Sequence, residues 1–407
     1  MPDPSGRRTS RGVDRPGAAP KGEIPAPAAA EPQTYRRNPV LLPPFQLERY
    51  FARYEFTVRH LLCASDCESM TIKDVLALEA DAGRSFDDLW LGYTESQGAP
   101  MLRQAICGLY ETIVADQVLV HSGAEEAIFL FMQAALKPGD HVVVHWPGYQ
   151  SLHEVARAMG CEVSFWEARE AQGWALDPDE LAGLIRPDTR VVVLNTPHNP
   201  TGWLMPRNDF LRLNRMLDAR SILLFSDEVY RDSEYGGSDR LPAACDISGQ
   251  AVSLGVMSKT YGLPGLRIGW VATRNREIVA RMAALKDYTT ICNSAPGERL
   301  AEIALRHREG IIRRNLEIIA ANLDTLDDFF QKHAGRFRWT RPKAGPIAFV
   351  GLNGGAVAAF CHELAHRAGV LLLPGTLFGH GGNYFRIGFG RRNLPAAVAA
   401  FDRFLLG

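Results

Sequence analysis

Lys259 stands in the stretch Met257-Ser258-Lys259-Thr260-Tyr261-Gly262-Leu263-Pro264-Gly265-Leu266-Arg267-Ile268-Gly269. A lysine beside a small hydroxyl residue, with an arginine eight positions later across a glycine-rich turn, offers an amine to a carbonyl carbon and two groups to a phosphate. The amine can lose its charge when desolvated and then act as a nucleophile. The planar guanidinium of Arg267 can donate two parallel hydrogen bonds to one phosphate. These are the requirements of a site for pyridoxal 5'-phosphate (PLP). Many lysines precede a glycine-rich loop for no chemical reason, so the reading turns on whether other segments supply the remaining parts.

Several do. Ser122-Gly123-Ala124-Glu125-Glu126 ends an apolar run and opens the apolar helical pattern Ile128 to Leu136. Backbone N–H groups at a helix start lack partners and, with the helix dipole, attract an anion, which puts Ser122, Gly123 and Ala124 on a phosphate. Asp227 closes the run Ile222-Leu223-Leu224-Phe225-Ser226, with Tyr230 three residues on. A carboxylate at a strand's C-terminal end faces the crevice where α/β sheets take ligands. Beside a pyridine nitrogen it would keep that nitrogen protonated, as an electron sink for an α-carbanion requires. In Asn195-Thr196-Pro197-His198-Asn199-Pro200-Thr201-Gly202 the prolines fix the turn and remove donors, leaving the Asn199 amide to reach a ring oxygen together with Tyr230. Pro147-Gly148-Tyr149 ends a further run, and the Tyr149 ring suits stacking on a heteroaromatic ring. Each segment alone is more often structural: a plain connection, an N-cap aspartate, a turn.

Such positions require a sheet whose strand ends converge. The apolar runs Gln117 to Ser122, His141 to Trp146, Glu162 to Trp166, Arg190 to Asn195, Ser221 to Asp227, Ala251 to Met257 and Gly269 to Thr273 alternate with helical patterns. They read as a large, mostly parallel sheet with helices on both faces, an α/β fold. A long helical pattern runs from Pro296 to about His333, followed by strand-like pieces at Pro346 to Val350, Val370 to Leu373 and Tyr384 to Gly388. The expected organisation is a disordered extension over residues 1–34, an N-terminal arm and part of a small α+β domain over 35–90, a large PLP domain over 91–295, and an interdomain helix with the rest of the small domain over 296–407. The extension is rich in Pro, Ala, Gly and Arg and has almost no large apolar side chains.

A formal net charge of −1 over 407 residues argues against a nucleic-acid partner. No apolar run approaches the ~20 residues of a membrane helix, and no signal-peptide core is evident. The seven cysteines lack metal-ligand spacing, which fits reduced thiols in a cytoplasmic protein without a metal site.

The ordered set Tyr93, Ser122-Gly123, Tyr149, Asn199-Pro200-Thr201-Gly202, Asp227 with Tyr230, Ser258-Lys259, Arg267 and Arg386 resembles the class I/II aminotransferases, PLP enzymes of fold type I, over roughly residues 39 to 407. The resemblance implies that Lys259 carries PLP as a Schiff base and that Asp227 pairs with the pyridine nitrogen. It implies that Asn199 and Tyr230 bind the phenolate oxygen, while Ser122, Gly123, Ala124, Ser258 and Arg267 hold the phosphate. Tyr93 would reach the phosphate of a neighbouring subunit in a homodimer. Arg386, in Tyr384-Phe385-Arg386-Ile387-Gly388, would clamp the substrate α-carboxylate. The implied reaction moves the α-amino group of an amino acid to a 2-oxo acid. Two departures stand out: Val256 where a Ser or Thr commonly adds a phosphate contact, and Ser65-Asp66-Cys67-Glu68-Ser69 in place of a Gly-rich pocket segment. The stretches Ser258 to Trp270, Asp287 to Leu300 and Tyr149 to Leu152 are similar to the capreomycidine synthase group, PLP enzymes that modify arginine derivatives.

Elimination with cyclisation, or oxidation, of an arginine derivative would need the same cofactor contacts, so these motifs leave that alternative open. Asp66 and Glu68, two apart in an extended stretch, would point the same way and could hold a guanidinium. Equally, they could be solvated acids that favour the helix after Thr71, where Asp74 completes a capping-box pattern. An aminotransferase-like regulator is disfavoured because no helix-turn-helix pattern precedes the domain. A nicotinamide enzyme is disfavoured because Gly262, Gly265 and Gly269 do not have the dinucleotide spacing. His153 and His198 read as structural histidines, and His307 to Arg314 as a solvated helix face.

Overall fold

The apolar runs form one seven-stranded sheet in the computed structural model, which describes residues 42–407; the expected disordered extension lies outside the described residues. Its strands are β1 (Val118–His121), β2 (His141–Trp146), β3 (Glu162–Glu167), β4 (Thr189–Asn195), β5 (Leu223–Asp227), β6 (Ala251–Val256) and β7 (Gly269–Ala272). Their spatial order is β1-β7-β6-β5-β4-β2-β3. All neighbours are parallel except β7, which is antiparallel to both β6 and β1. The central strands are largely apolar because both faces are covered, whereas the edge strand β3 carries Glu162, Ser164 and Glu167 and is mostly exposed or half-buried. Val142, Val144, Val191, Val193 and Phe225 pack into one core, and Val143, Val192, Leu194 and Leu224 into the other. That is the two-residue alternation of a pleated strand.

Strand direction positions the chemistry. Asn195 and Asp227 are register partners at the C-terminal ends of β4 and β5. Because β7 runs against β6, the chain between them reverses, and Val256 pairs with Gly269 at the mouth of that turn. Lys259 and Arg267 both lie on it.

A second, antiparallel sheet comprises β8 (Phe337–Arg338), β9 (Ile347–Leu352), β10 (Leu373–Pro374) and β11 (Tyr384–Gly388), in the order β10-β11-β9-β8. Its core joins Ile319, Leu323, Phe385, Ile387 and Phe401. His60–Leu61 pairs in parallel with Val370–Leu371, which ties the N-terminal segment to the C-terminal one. The single long helix expected after Pro296 is instead two, Ala295–Arg306 and Arg308–Lys332. They meet at His307, whose φ of −108° and ψ of 19° break the ladder between them. The capping box at Thr71 and Asp74 is present.

Helix α1 (Gln46–Tyr54) buries Leu47 and Tyr54. It is fastened to the segment following β2: Gln46 N–H donates to Gln150 Oε1 at 2.9 Å, and the Tyr149 hydroxyl donates to Glu48 Oε1 at 3.3 Å. Among the described residues, no helix is long and apolar enough to cross a membrane, and no group of three or more His, Cys, Asp or Glu is placed to hold a metal.

Candidate active site

Strand ends, one turn and α1 enclose a cavity of about 460 Å³ lined by Ala124, Tyr149, Asn199, Asp227, Tyr230, Ser258, Lys259, Arg267 and Arg386. Phe45, Glu48, Phe51, Ser65, Glu125 and Asn195 complete the wall. The volume suits a cofactor with a small substrate.

Lys259 Nζ donates to Ser65 Oγ at 2.9 Å. Burial holds the amine below the ordinary lysine range, against the pull of Asp66. A lowered pKa makes the neutral, nucleophilic form accessible. Asp227 is 5% exposed, and burial pushes its carboxyl up to about 7, opposed by the Val229 N–H at 3.3 Å and by Lys259. A cation placed beside it would restore its charge.

Asn195 was expected only as part of a turn, and it organises that turn. Its Nδ2 donates to Asp227 O at 3.0 Å, and its Oδ1 accepts the Asn199 N–H at 2.6 Å. Asn199 Oδ1 in turn accepts from Arg386 Nη1 at 3.0 Å, so the Asn199 NH₂ is left as the available donor. Arg386 is 1% exposed; Nη2 donates to Cys63 O at 2.9 Å, and Nε has no partner among the described residues. The Tyr230 hydroxyl is likewise buried without a partner. His198, buried and stacked on His145 at 3.6 Å between ring centres, has both nitrogens engaged, by Thr201 Oγ1 and Pro147 O. It is a structural support for the turn.

The turn at Ser122-Gly123-Ala124 departs from expectation in detail. The Ser122 N–H donates to Glu126 Oε2 and the Gly123 N–H to His121 O, so these two amides are committed within the loop. Ala124, first residue of α2 (Ala124–Ala135), faces the cavity; Ser122 and Gly123 are not on its wall. Gly123 serves by its size. At φ +91°, a Cβ there would sit 2.6 Å from Arg267 Nη2. Gly269 is matched to it, since its Cβ would lie 2.7 Å from the Gly123 carbonyl carbon. The two glycines let the Arg267 guanidinium lie against the helix start, where an anion is favoured.

Asp66 and Glu68 do not reach the cavity, which corrects the expectation that they face a substrate. Both Asp66 oxygens are held by Arg391 at 2.9 Å, and Glu68 Oε2 accepts the Arg392 N–H at 2.9 Å. The alternative of two solvated acids at a helix start fails as well, since Asp66 is buried. The physical reason is that a C-terminal arginine pair satisfies these acids locally. Tyr93 is 85% exposed and stands off the cavity of its own chain. Tyr149 lines the cavity with its ring 5.0 Å from that of Phe45.

These residues fit PLP. An unpartnered Tyr230 hydroxyl and a free Asn199 amide suit a ring oxygen, Asp227 suits a ring nitrogen, and the glycine-cleared corner with Ser258 and Arg267 suits a phosphate.

The family model for aminotransferase class I and II matches residues 60–400. The chain is 30% identical over 371 residues to capreomycidine synthase of Streptomyces vinaceus, covering 90% of this chain and 94% of that one. It is 29% identical over 298 residues to the arginine–pyruvate transaminase of Pseudomonas aeruginosa, covering 70% and 75%. Among solved structures, the PLP-dependent cyclase OrfR superposes with a TM-score of 0.83 at 32% identity, covering 92% and 99%. A PLP-dependent aminotransferase from Streptococcus suis superposes with a TM-score of 0.85 at 30% identity, covering 90% and 98%. With a family match over most of its length and the fold of these proteins, this chain belongs to the class I and II aminotransferase family and takes pyridoxal 5'-phosphate as its cofactor.

Proposed function

We propose that the protein is an aminotransferase, moving the α-amino group of an amino acid to a 2-oxo acid. The supporting observation is that Lys259, Asp227 and Arg386 line one cavity together with Asn199, Tyr230, Ser258 and Arg267. PLP supplies a ring that withdraws electrons from the substrate's α-carbon. Arg386 binds the α-carboxylate through its fork, with Asn199 holding one end of the guanidinium. With the cofactor bound, Lys259 Nζ would take the proton from the substrate's α-carbon and return it as a general acid. Ser65 is placed to hold that amine between the two duties. Asp227 would hold the proton of the ring nitrogen, Tyr230 and the Asn199 NH₂ would donate to the ring oxygen, and Tyr149 with Phe45 would exclude water from the ring.

A second reading, cyclisation or oxidation of an arginine derivative, draws support from the likeness to capreomycidine synthase and to the cyclase OrfR. One experiment separates the two. Holoenzyme is incubated with a panel of amino acids, L-arginine and hydroxylated arginines among them, with and without pyruvate, and the products are identified by mass. Aminotransfer gives a 2-oxo acid and alanine in equal amounts and depends on pyruvate. A cyclic guanidino amino acid formed without pyruvate, or consumption of oxygen, would replace this reading by the second.

We further propose a homodimer that shares its sites. Trp90, Leu91 and Tyr93 are 79%, 77% and 85% exposed in one short segment, an apolar surface that a monomer rarely leaves uncovered. Mixing Lys259→Ala and Tyr93→Ala chains under subunit exchange is expected to regain part of the activity that neither variant has alone, because one site of the mixed dimer draws both intact residues. Mixing Lys259→Ala with Arg386→Ala chains is expected to regain nothing if Arg386 serves its own chain, because each site of the mixed dimer then lacks one of the two residues. A fully active monomer in sedimentation would end the proposal.

A further inference from the structure

Two carboxylates on the cavity wall have no part in the chemistry above: Glu48 of α1 and Glu125 of α2. Neither forms an ion pair among the described residues. Among the described residues the only side-chain partners of their carboxylates are hydroxyls: Tyr149 donates to Glu48 Oε1 and Ser151 to Glu125 Oε2, each at 3.3 Å. The contrast with Asp66 and Glu68 is direct, since those acids are met by the side chain of Arg391 and the backbone of Arg392. The cavity is a ligand site on separate grounds, because the Tyr230 hydroxyl and Arg386 Nε, both on residues 1% exposed, have no partner.

We infer that Glu48 and Glu125 form the subsite for a cationic substrate side chain, and that the group they take is a guanidinium carried by an α-amino acid. The inference rests on the reading of Arg386 as the α-carboxylate clamp. With the α-carboxylate held there, the amine at Lys259, Asp227 at the ring nitrogen and Arg267 at the phosphate, the charged side chains left on the wall are these two acids. A guanidinium matches because its planar fork spreads five donors in fixed directions, enough to serve carboxylates arriving from two different helices. An ammonium, a point charge with three donors, is the poorer match. Although Glu125 keeps surface open to the cavity, the protein around it pushes its carboxyl up to about 7, by desolvation first and then by Glu48. A carboxylate whose charge is disfavoured by burial and by a neighbouring acid gains from a cation placed beside it.

The test uses PLP-loaded enzyme and compares L-arginine with L-citrulline, whose ureido group has nearly the same shape and no charge. Binding is read from the change in cofactor absorbance, independently of turnover. The wild type is expected to prefer L-arginine by ~10-fold or more, the ratio set by one charge-assisted contact. Glu48→Gln and Glu125→Gln are each expected to bring that preference to within about 3-fold, and Glu125→Asp, which restores the charge, to recover part of it. Thermal melts of all variants show whether each is folded, and the conservative Asp variant decides the matter should a Gln variant not fold. A wild type without preference, or Gln variants that weaken both ligands equally, would overturn the subsite alone. A cofactor band indifferent to every amino acid would overturn the functional reading with it.

Discussion

Lys259→Ala is expected to abolish turnover with every amino acid, by on the order of four powers of ten or more, because it removes a nucleophile and the general acid–base together. The structure gives this lysine what both duties require. Its amine is buried, which disfavours the charge, and it is held by Ser65 Oγ at 2.9 Å rather than by a carboxylate that would fix the charge in place. The wild-type holoenzyme should carry a covalent label after borohydride reduction, and the variant none. Peptide mapping is the decisive measurement: a label on any other lysine would refute the assignment outright.

Asp227→Asn should give the second largest loss. The change keeps the shape at the end of β5 but removes the charge that holds a proton on the ring nitrogen. Loss of a main electrostatic contribution of ~4 kcal/mol slows α-proton abstraction by roughly a thousandfold. Single-turnover deprotonation isolates that step, and a near-normal rate would contradict the role. The same residue also marks the stability of cofactor-depleted protein. Its carboxyl is pushed up to about 7, against an unfolded value of about 3.9. The folded state therefore binds the extra proton between those values, and this contribution to stability is fully present below about pH 4 and lost as pH rises through about 7. Asp227→Asn should flatten the decline of Tm across that window in depleted protein. An unchanged slope would show that other groups carry it.

What the sequence could disclose follows the range of the interactions involved. His141–Trp146 and Tyr384–Gly388 are strands with the limits read from their residues, because strand formation is announced by local apolar alternation and composition. The strand-end positions of Lys259, Asp227 and Asn199 were legible for the same reason. Contacts between distant segments were not. The spacing of Asp66 and Glu68 says that they share a direction, but not that Arg391, 325 positions away, occupies it. Ser65 meets Lys259 across 194 positions, and Glu48 meets Tyr149 across 101. Glu125 was in view as part of the Ser122–Glu126 motif, yet only the approach of α1 makes a pair of it. The loop amides failed differently: a helix start generally leaves donors free, but Glu126, four residues on from Ser122, turns back to take one.

Helix α1, fastened by Gln46 and Glu48 to the segment after β2, carries an evolutionary implication. The residues that manage the cofactor lie on the strand ends and turn of the seven-stranded sheet, whereas part of the wall facing the substrate's side chain is a nine-residue helix from elsewhere in the chain. A substitution at Glu48, unlike one at Leu47 or Tyr54, which are buried in a core shared with the sheet, leaves the sheet's own packing in place. Descendants of one ancestral catalyst could thus diverge in diet while inheriting the same reactive apparatus, by drift and selection acting on positions 45 to 51.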